Sequence, residues 1–365
     1  MNILPNAPNL PIEHLAGAFR NTTNSYKYYW FLAILNHIKA GGDATISIDA
    51  LLADMVTSVW YPVNYFHLSF GSQDKLGRAV LTVKVAEDID ANDKPQAVQL
   101  AVSAYLNQNG AEAKKVRQLT RYVPTRFLRP WFQTETKGMK DHKVDNYIAE
   151  AASDYFTART TPMYCFVEPN SIKLNPHWLA YLRQHLNILQ GFCWWHLLNY
   201  LQKRNPNVPN IASKLFPPET RDLRNAHRFW QEVIQKRGAV ACIYSSETMT
   251  TLTGNSIEHF LPWSFVAHDL NWNLVPTPKP VNSAKRDRLP EMSRYFEPFA
   301  DLQYEAVQVV TKAKLLEDYV LMAAVGSVAE LKAMPRADFT DKLHDTIAPQ
   351  IVIARNMGFT SNWVY

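Results

Sequence analysis

The chain has 365 residues, of which 47% are hydrophobic, 12% aromatic and 19% charged, and its formal net charge is +5 at pH 7. This composition excludes a disordered chain, and the length allows two or three domains with sizeable cores. No apolar run reaches the roughly 18 residues that a membrane span needs, and the first residues lack the basic start and long apolar stretch of a signal peptide. Three widely spaced cysteines form neither a disulfide framework nor a CxxC metal motif, so we expect a cytoplasmic protein with no membrane partner.

The first hundred residues contain two strong helix signals and two short alternating stretches. The aromatic run after Ser25 ends at Gly41-Gly42 and predicts a buried helix, because its apolar residues are nearly continuous. Ile48–Trp60 predicts a second helix. Apolar and polar residues alternate at Ala79–Val85 and at Ala97–Val102, which predicts two strands.

A basic segment follows at Lys114–Lys143, with nine Lys or Arg against two acidic residues, a net charge of +7. Aromatic and proline residues are interleaved in it, as in RYVPTRFLRPWF. Surfaces that neutralise phosphates and stack bases use this combination, so we predict that Arg121, Arg126 and Arg129 contact nucleic acid. The alternative is a solvated loop whose apolar residues anchor it to the core.

The second half of the chain is helical on both sides of a different central segment. Residues 175–204 predict a helix that ends at the proline-containing turn Asn205–Asn210, and Glu219–Lys236 predicts another. After Pro290 the pattern is mainly helical to about residue 357, with breaks near Pro335 and Pro349. The sequence therefore predicts a mainly helical α+β fold, with an N-terminal region at 1–236, a central unit at 237–290 and a C-terminal helical region at 291–365.

The central unit combines short strands with polar residues at their ends. We predict one strand in the run AVACIY, a second that ends at Ile257–Phe260, a third at Asn273–Pro276 and a polar helix at Asn282–Arg288. Side chains at strand ends and at a helix start can converge on one metal ion. Taken singly, each of these His, Glu and Asn residues has an ordinary structural explanation; the joint pattern is what indicates a site.

This pattern resembles the HNH, or ββα-metal, endonuclease family, and it looks closest to the subgroup that includes the HNH domain of CRISPR effector nucleases and to prokaryotic HNH-containing proteins. In that family an acid precedes a histidine, a proline follows, an Asn-hydrophobic pair comes next, and Asn-x-x-Lys-x-Asp closes the motif. About 50 residues carry the motif, and the matching positions are Glu258-His259, Pro262, Asn273-Leu274-Val275 and Asn282-Ser283-Ala284-Lys285-Arg286-Asp287. The resemblance therefore implies a ββα nuclease unit embedded between helical regions.

The resemblance also implies a role for each matching residue. His259 would be the general base that takes a proton from the attacking water, and Glu258 and Asn282 would coordinate Mg²⁺, with Mn²⁺ as a substitute. Asn273 would belong to the catalytic set as the residue that ties the loop and aims the histidine. Lys285 would neutralise charge at the phosphate and, with Arg286, would contact nucleic acid.

Two departures from the family pattern affect the metal sites. Aspartate is the commoner acid before the histidine in the family, and Glu258 is longer by one methylene group. Glu258 could therefore bind the metal from a shifted position, or His268 and Asp269 could be the metal ligands instead. Many HNH proteins also hold a zinc with two CxxC pairs, whereas here Cys242 has Ser245 in place of its partner. We therefore expect no structural zinc.

The function implied by the resemblance is hydrolysis of phosphodiester bonds, with DNA as the expected partner and substrate. Defence against phage or mobile DNA follows by family analogy alone. A single HNH unit nicks one strand, so double-strand breaks would require a homo-oligomer or a partner protein within a defence system. Two alternatives stay open: a catalytically inactive nucleic-acid-binding or sensor protein, and an RNA-cleaving effector.

Overall fold

A computed structural model describes residues 4–20, 22–108, 110–154, 156, 161–168, 170–217 and 221–365. The chain forms two compact units, one made of Met1–Pro206 with Lys214–Pro217 and the other of Asn207–Ser213 with Pro218–Tyr365. The fold is α+β and mainly helical, as predicted. The predicted division at residues 236 and 290 stays a prediction. Within the described ranges, no helix is both long enough and apolar enough to cross a membrane.

The first unit is a helical assembly with one small antiparallel sheet, whose strand order is β1-β3-β2. Its elements are α1 (Ile12–Gly17), α2 (Tyr26–Lys39), β1 (Thr45–Ser47), α3 (Ile48–Asn64), α4 (Leu76–Glu87), α5 (Pro95–Asn107), α6 (Ala111–Arg117), a 3₁₀ turn (Gln118–Thr120), α7 (Val123–Phe127), a 3₁₀ turn (Arg129–Phe132), α8 (Asp141–Asp154), β2 (Tyr164–Val167), β3 (Ser171–Leu174), α9 (Pro176–Gln184) and α10 (Leu186–Gln202).

Helix α2 is the centre of this unit, because it packs against α3 and α10 and buries every residue from Tyr28 to Leu35. The prediction of a buried aromatic helix is confirmed. The second predicted helix is also confirmed, and it continues past Trp60 to the end of α3.

The two strands predicted near residues 79 and 97 are wrong, because both stretches lie in helices. In α4 the buried residues Leu76, Ala79, Val80 and Val83 are three or four positions apart, which is the spacing of one helix face. Pro95 is the first residue of α5. Proline is favoured at this position because a backbone N–H in the first turn of a helix has no partner within the helix, so its absence costs nothing. The short windows with strand-like alternation are therefore parts of longer helical periods.

The second unit contains the central segment and the C-terminal helices. Its elements are α11 (Arg224–Arg237), β4 (Val240–Ala241), β5 (Thr248–Met249), β6 (Asn255–His259), α12 (Trp263–Val266), a 3₁₀ turn (Asn271–Asn273), β7 (Leu274–Pro278), α13 (Lys279–Lys285), α14 (Met292–Val309), a 3₁₀ turn (Ala313–Leu315), α15 (Glu317–Ala323), α16 (Val328–Ala333) and α17 (Arg336–Asn356); a further 3₁₀ turn at Ile211–Leu215 begins in this unit.

Three of the predicted helix limits can be compared with this arrangement. Helix α11 starts at Arg224, and the predicted start at Glu219 lies outside the described residues. The predicted break near Pro335 is confirmed, since Pro335 caps α17. The predicted break near Pro349 is wrong, because α17 continues through that proline and packs along α14. Tertiary packing can outweigh the cost of one proline in a long helix.

One hydrophobic core joins the central segment to the helices around it. Trp230 of α11, Val275 of β7, Phe299 of α14 and Trp363 near the C-terminus belong to the same buried cluster. Phe260, directly after β6, stacks on Phe299 with ring centroids 4.2 Å apart. The strands of the central segment are therefore held in place by the flanking helices.

Candidate active site

Two antiparallel strands and a short helix form the frame of the site. Strand β6 pairs with β7 in a register that puts Glu258 opposite Val275 and His259 opposite Leu274. Helix α13 follows β7 directly and packs on both strands. The end of β6 and one face of α13 are thereby brought together, which is the predicted ββα arrangement.

Glu258 and Lys285 form a buried ion pair across this frame. Lys285 Nζ donates to Glu258 Oε1 at 2.8 Å and to the carbonyl oxygen of His259 at 2.7 Å. The Lys285 side chain is fully buried and that of Glu258 is 7% exposed. Charges at such depth need partners, so the pair fastens α13 to the end of β6. The predicted contact between Lys285 and a nucleic-acid phosphate stays a prediction. In this structure the ammonium group of Lys285 is buried and makes its contacts within the protein.

His259 is held by a carboxylate from the loop that follows. Its Nε2 lies 2.8 Å from Asp269 Oδ1, and the His259 side chain is only 3% exposed. A carboxylate accepts hydrogen bonds, so this contact favours the tautomer that carries its hydrogen on Nε2. Nδ1 is then the ring nitrogen with a free lone pair. Asp269 was predicted only as an alternative metal ligand, and in the structure it contacts the histidine.

Asn273 ties the chain just beyond His259 to the start of β7. Its Oδ1 accepts from the backbone N–H of Leu261 at 2.8 Å, and its Nδ2 donates to the carbonyl oxygen of Leu261 at 2.9 Å. The backbone N–H of Phe260 donates to the carbonyl oxygen of Asn273. Both Asn273 and Leu261 are fully buried. The turn after the histidine is therefore fixed by one side chain, in keeping with the structural task predicted for it.

Replacing Asn273 with Ala is expected to destabilise the second unit by about 1–3 kcal/mol, because it leaves the buried N–H and C=O groups of Leu261 without partners. Urea unfolding followed by tryptophan fluorescence measures the change. Asn255→Ala is the matched control, since it removes an amide hydrogen bond to Thr251 at the exposed start of the same hairpin. If the two variants unfolded at the same urea concentration, the Asn273 hydrogen bonds would contribute no more than a surface contact.

Asn282 and Arg286 lie on the open side of α13. The Asn282 side chain is half-buried, and none of the described residues makes a hydrogen bond to it. Arg286 is exposed, with a φ of 52°, and its backbone N–H donates to the carbonyl oxygen of Asn282. A side-chain amide without a partner next to an exposed arginine leaves an oxygen ligand and a cation available at this end of the helix.

The oxygen donors near the site fit a hard divalent cation. Glu258 uses one carboxylate oxygen for Lys285, and no contact within the described part of the chain joins its second oxygen. The amide oxygen of Asn282 is likewise unused. No group of three or more His, Cys, Asp or Glu side chains among the described residues could hold a metal ion. Mg²⁺ characteristically takes only one or two protein oxygens and completes its shell with water and phosphate, so oxygen donors of these two types suit it.

Tyr244 adds an unusual neighbour to Glu258. Its hydroxyl group is buried and has no hydrogen-bond partner within the described residues. Burial, with a smaller contribution from the Glu258 carboxylate, raises the pKa of Tyr244 well above its usual range. Tyr244 therefore stays neutral beside the carboxylate, with an O–H group able to donate.

The predicted arginine contacts lie in the other compact unit. Arg121, Arg126 and Arg129 line a cleft of the first unit, together with residues of α2 and α4. Arg126 and Arg129 form ion pairs with Asp145 at 3.4 and 3.0 Å. The structure brings the three arginines to one cleft, and their contact with nucleic acid stays a prediction.

Two residues that support the site were not predicted in the role that the structure gives them. Asp269 lies ten positions after His259 in a loop of unspecific composition. Gln303 of α14 is fully buried, and it donates to the carbonyl oxygen of Leu274 at 2.8 Å while it accepts from the Tyr319 hydroxyl. Only the packed structure reveals these contacts, because the residue types are common in loops and helices.

The hairpin, the following helix and the buried histidine define a ββα-type nuclease unit. A family model described as HNH endonuclease matches residues 242–291, so this segment is an HNH endonuclease domain. No curated protein and no solved structure matches the chain. The HNH family assignment from the sequence is confirmed, and the closer resemblance to the CRISPR-effector subgroup stays a prediction. A nuclease of the HNH type acts on nucleic acid and generally depends on a divalent metal.

Proposed function

We propose that this protein is a metal-dependent endonuclease that hydrolyses phosphodiester bonds in DNA. The observation that carries the proposal is His259, buried at the end of β6 and hydrogen-bonded to Asp269, within the segment that matches the HNH family. An imidazole held in one tautomer at a fixed position is suited to take a proton near neutral pH.

In this proposal His259 is the general base. Nδ1 accepts a proton from the attacking water, while Asp269 holds Nε2 and stabilises the imidazolium that forms, as the carboxylate does in Asp–His pairs of other hydrolases. The water oxygen bonds to phosphorus, the bond from phosphorus to the 3′-oxygen breaks, and the products carry 5′-phosphate and 3′-hydroxyl ends. Asn273 fixes the turn that orients the histidine.

Glu258 and Asn282 are the proposed metal ligands, for Mg²⁺ in the first instance and Mn²⁺ as a substitute. When bound, the cation would supply Lewis-acid stabilisation of the charge that develops on the phosphate and the leaving oxygen. Lys285 partly neutralises Glu258 and fixes its orientation. Arg286, exposed at the end of α13, is the proposed contact to substrate phosphate on this unit.

Asn282→Ala is expected to raise the Mg²⁺ concentration required for cleavage, because it removes one of two protein ligands. Excess Mn²⁺ should restore part of the rate. Initial cleavage rates against Mg²⁺ concentration make the test, with Ser283→Ala, exposed on the same helix, as the matched control. Glu258→Gln is a second variant, although it also leaves Lys285 without its counter-ion. If both variants titrated with Mg²⁺ like the wild type, the metal would have to bind elsewhere, with His268 and Asp269 as the next candidates.

A panel of substrates tests the proposed function as a whole. Supercoiled plasmid, single-stranded DNA and RNA are each incubated with the full chain and Mg²⁺, Mn²⁺ or EDTA. We expect nicking of DNA that EDTA abolishes. Cleavage of RNA alone would identify an RNA-cleaving effector, and nucleic-acid binding without cleavage would identify an inactive binding or sensor protein.

We also propose a cytoplasmic setting. All three cysteines are buried and unpaired, which suits a reducing compartment. A role in defence against phage or mobile DNA follows from family analogy. Double-strand breaks by a unit that nicks one strand would require a second copy or a partner protein.

A further inference from the structure

A large cleft in the first unit carries a strong excess of cationic over acidic side chains. Its volume is about 970 Å³, near the upper end of small-ligand pockets. Seven Lys or Arg residues line it, against only Glu112 and Asp141 as acids. Such an imbalance within one cavity is far from the mixed charge of an ordinary surface, and it favours an anionic ligand.

Three of these cations have acidic partners. Lys115 pairs with Glu112, and Arg126 and Arg129 pair with the buried Asp145. Arg129 also reaches Asp141 at 3.3 Å. Both acids of the cleft, Glu112 and Asp141, are therefore engaged in ion pairs.

Four other cations of the cleft have no acidic partner within the described residues. They are Lys27 of α2, Lys75 at the start of α4, Arg78 within α4, and Arg121. Lys75, Arg78 and Arg121 are exposed to the cleft and solvent. They come from separate stretches of the chain, so their convergence is a product of the fold rather than of a local charge run.

Two groups at the wall of the cleft, one nitrogen of Arg129 and the ammonium group of Lys27, are incompletely compensated. Arg129 Nε is buried and has no hydrogen-bond partner in the described part of the chain. Burial, with smaller contributions from the nearby Arg129 and Arg126, lowers the pKa of Lys27 to about 8. A bound anion would offset the cationic field around Lys27 and could accept hydrogen bonds from the guanidinium groups that line the cleft.

An exposed aromatic ring lies among these cations. Tyr122 is 41% exposed and lines the cleft. The guanidinium groups of Arg121 and Arg126 lie 5.1 and 4.5 Å from its ring centroid. Sites for unpaired nucleotides combine a cationic groove with an aromatic stacking surface.

We propose that this cleft binds the phosphoryl groups of unpaired nucleotides, supplied either by a single strand or by a free nucleotide. The cations hold the phosphates and Tyr122 offers a face to the base. We expect a duplex to bind more weakly than a single strand, because a cavity of small-ligand size encloses separate nucleotides and not a double helix. The site belongs to the first unit, and its binding does not depend on cleavage by the HNH domain.

The test compares two triple variants that remove equal charge. Lys75→Gln, Arg78→Gln and Arg121→Gln together remove unpaired cations of the cleft and leave Asp145 with its partners. The control combines Lys137→Gln, Lys140→Gln and Lys143→Gln. These exposed lysines belong to the basic segment that contains Arg121, and they do not line the cleft. Binding is measured by fluorescence polarisation in EDTA, with a labelled thymidine oligonucleotide as the probe and with ATP, GTP and a duplex as competitors.

We expect the cleft variant to bind about tenfold or more weakly and the control to bind like the wild type. For a single strand, the slope of log affinity against log salt should fall by roughly 0.7 for each phosphate that the variant no longer neutralises. Competition by ATP or GTP would identify a free nucleotide as a ligand, and its absence would assign the site to a strand. Equal affinities in both variants, or competition by the duplex as strong as by the single strand, would overturn the proposal. If the wild-type chain bound the oligonucleotide as expected but cleaved no nucleic acid, the result would contradict the proposed nuclease function and leave the proposed binding cleft intact.

Discussion

Replacing His259 with Ala or with Gln is expected to lower metal-dependent cleavage by about 10²–10⁴-fold, which is the usual contribution of a positioned general base. The reason is that neither side chain can take the proton from water. His259 is buried, so the smaller Ala also leaves a cavity, and Gln is included to keep most of the volume. Single-turnover rates with saturating DNA measure the chemical step separately from binding.

His227→Ala is the matched control, because His227 is an exposed histidine on α11 of the same unit. It should cleave at the wild-type rate. Asp269→Asn is a second variant for this test. The amide has no negative charge to stabilise the imidazolium, and its NH₂ group favours the other tautomer, so the rate should fall by at least ~10-fold while substrate binding is retained. Wild-type rates in both His259 variants would remove this residue from the mechanism.

Replacing Lys285 with Met is expected to destabilise the second unit by about 3–5 kcal/mol, since it leaves the Glu258 carboxylate buried without its counter-ion. Lys285 also donates to the carbonyl oxygen of His259, so the same change frees the end of β6. Urea unfolding followed by tryptophan fluorescence gives the free energy. Cleavage should fall in parallel, because the helix that carries Asn282 is no longer fastened to the hairpin.

Lys279→Met is the control for this prediction, as an exposed lysine at the other end of α13. Its effect should stay within about 0.5 kcal/mol. The double variant Lys285→Met with Glu258→Gln should recover part of the stability, because no isolated charge is then buried. If Lys285→Met were as stable as Lys279→Met, the pair would not hold the helix in place.

The sequence was sufficient to predict the frame of the site because each of its parts has a local cause. The order of an acid-histidine pair, an Asn-hydrophobic pair and a polar helix predicted the pairing of β6 with β7 and the helix that follows. The helix starts at Lys279, three residues before its predicted start at Asn282. The ends of a helix depend on capping and packing, so the sequence predicts them less accurately than it predicts the presence of the helix.

The contacts inside the site could not be predicted, because they join residues that only packing brings together. Lys285 lies 27 positions after Glu258, and its burial follows from the docking of α13 on two strands. The resemblance to the HNH family implies a phosphate contact for Lys285, and nothing in the sequence indicates that this lysine is buried. The same limitation applies to the strands predicted in α4 and α5, where valine-rich windows were shorter than the helical periods that contain them.

The most direct test of this mechanism is cleavage of end-labelled DNA by the wild-type chain and by His259→Gln, each in Mg²⁺ and in EDTA, with the termini of the products identified. We expect 5′-phosphate and 3′-hydroxyl ends, formed only by the wild type and only with the metal. Cleavage that persists in EDTA, or that His259→Gln carries out at the wild-type rate, would contradict the central claim that residues 242–291 form a metal-dependent HNH active site around His259.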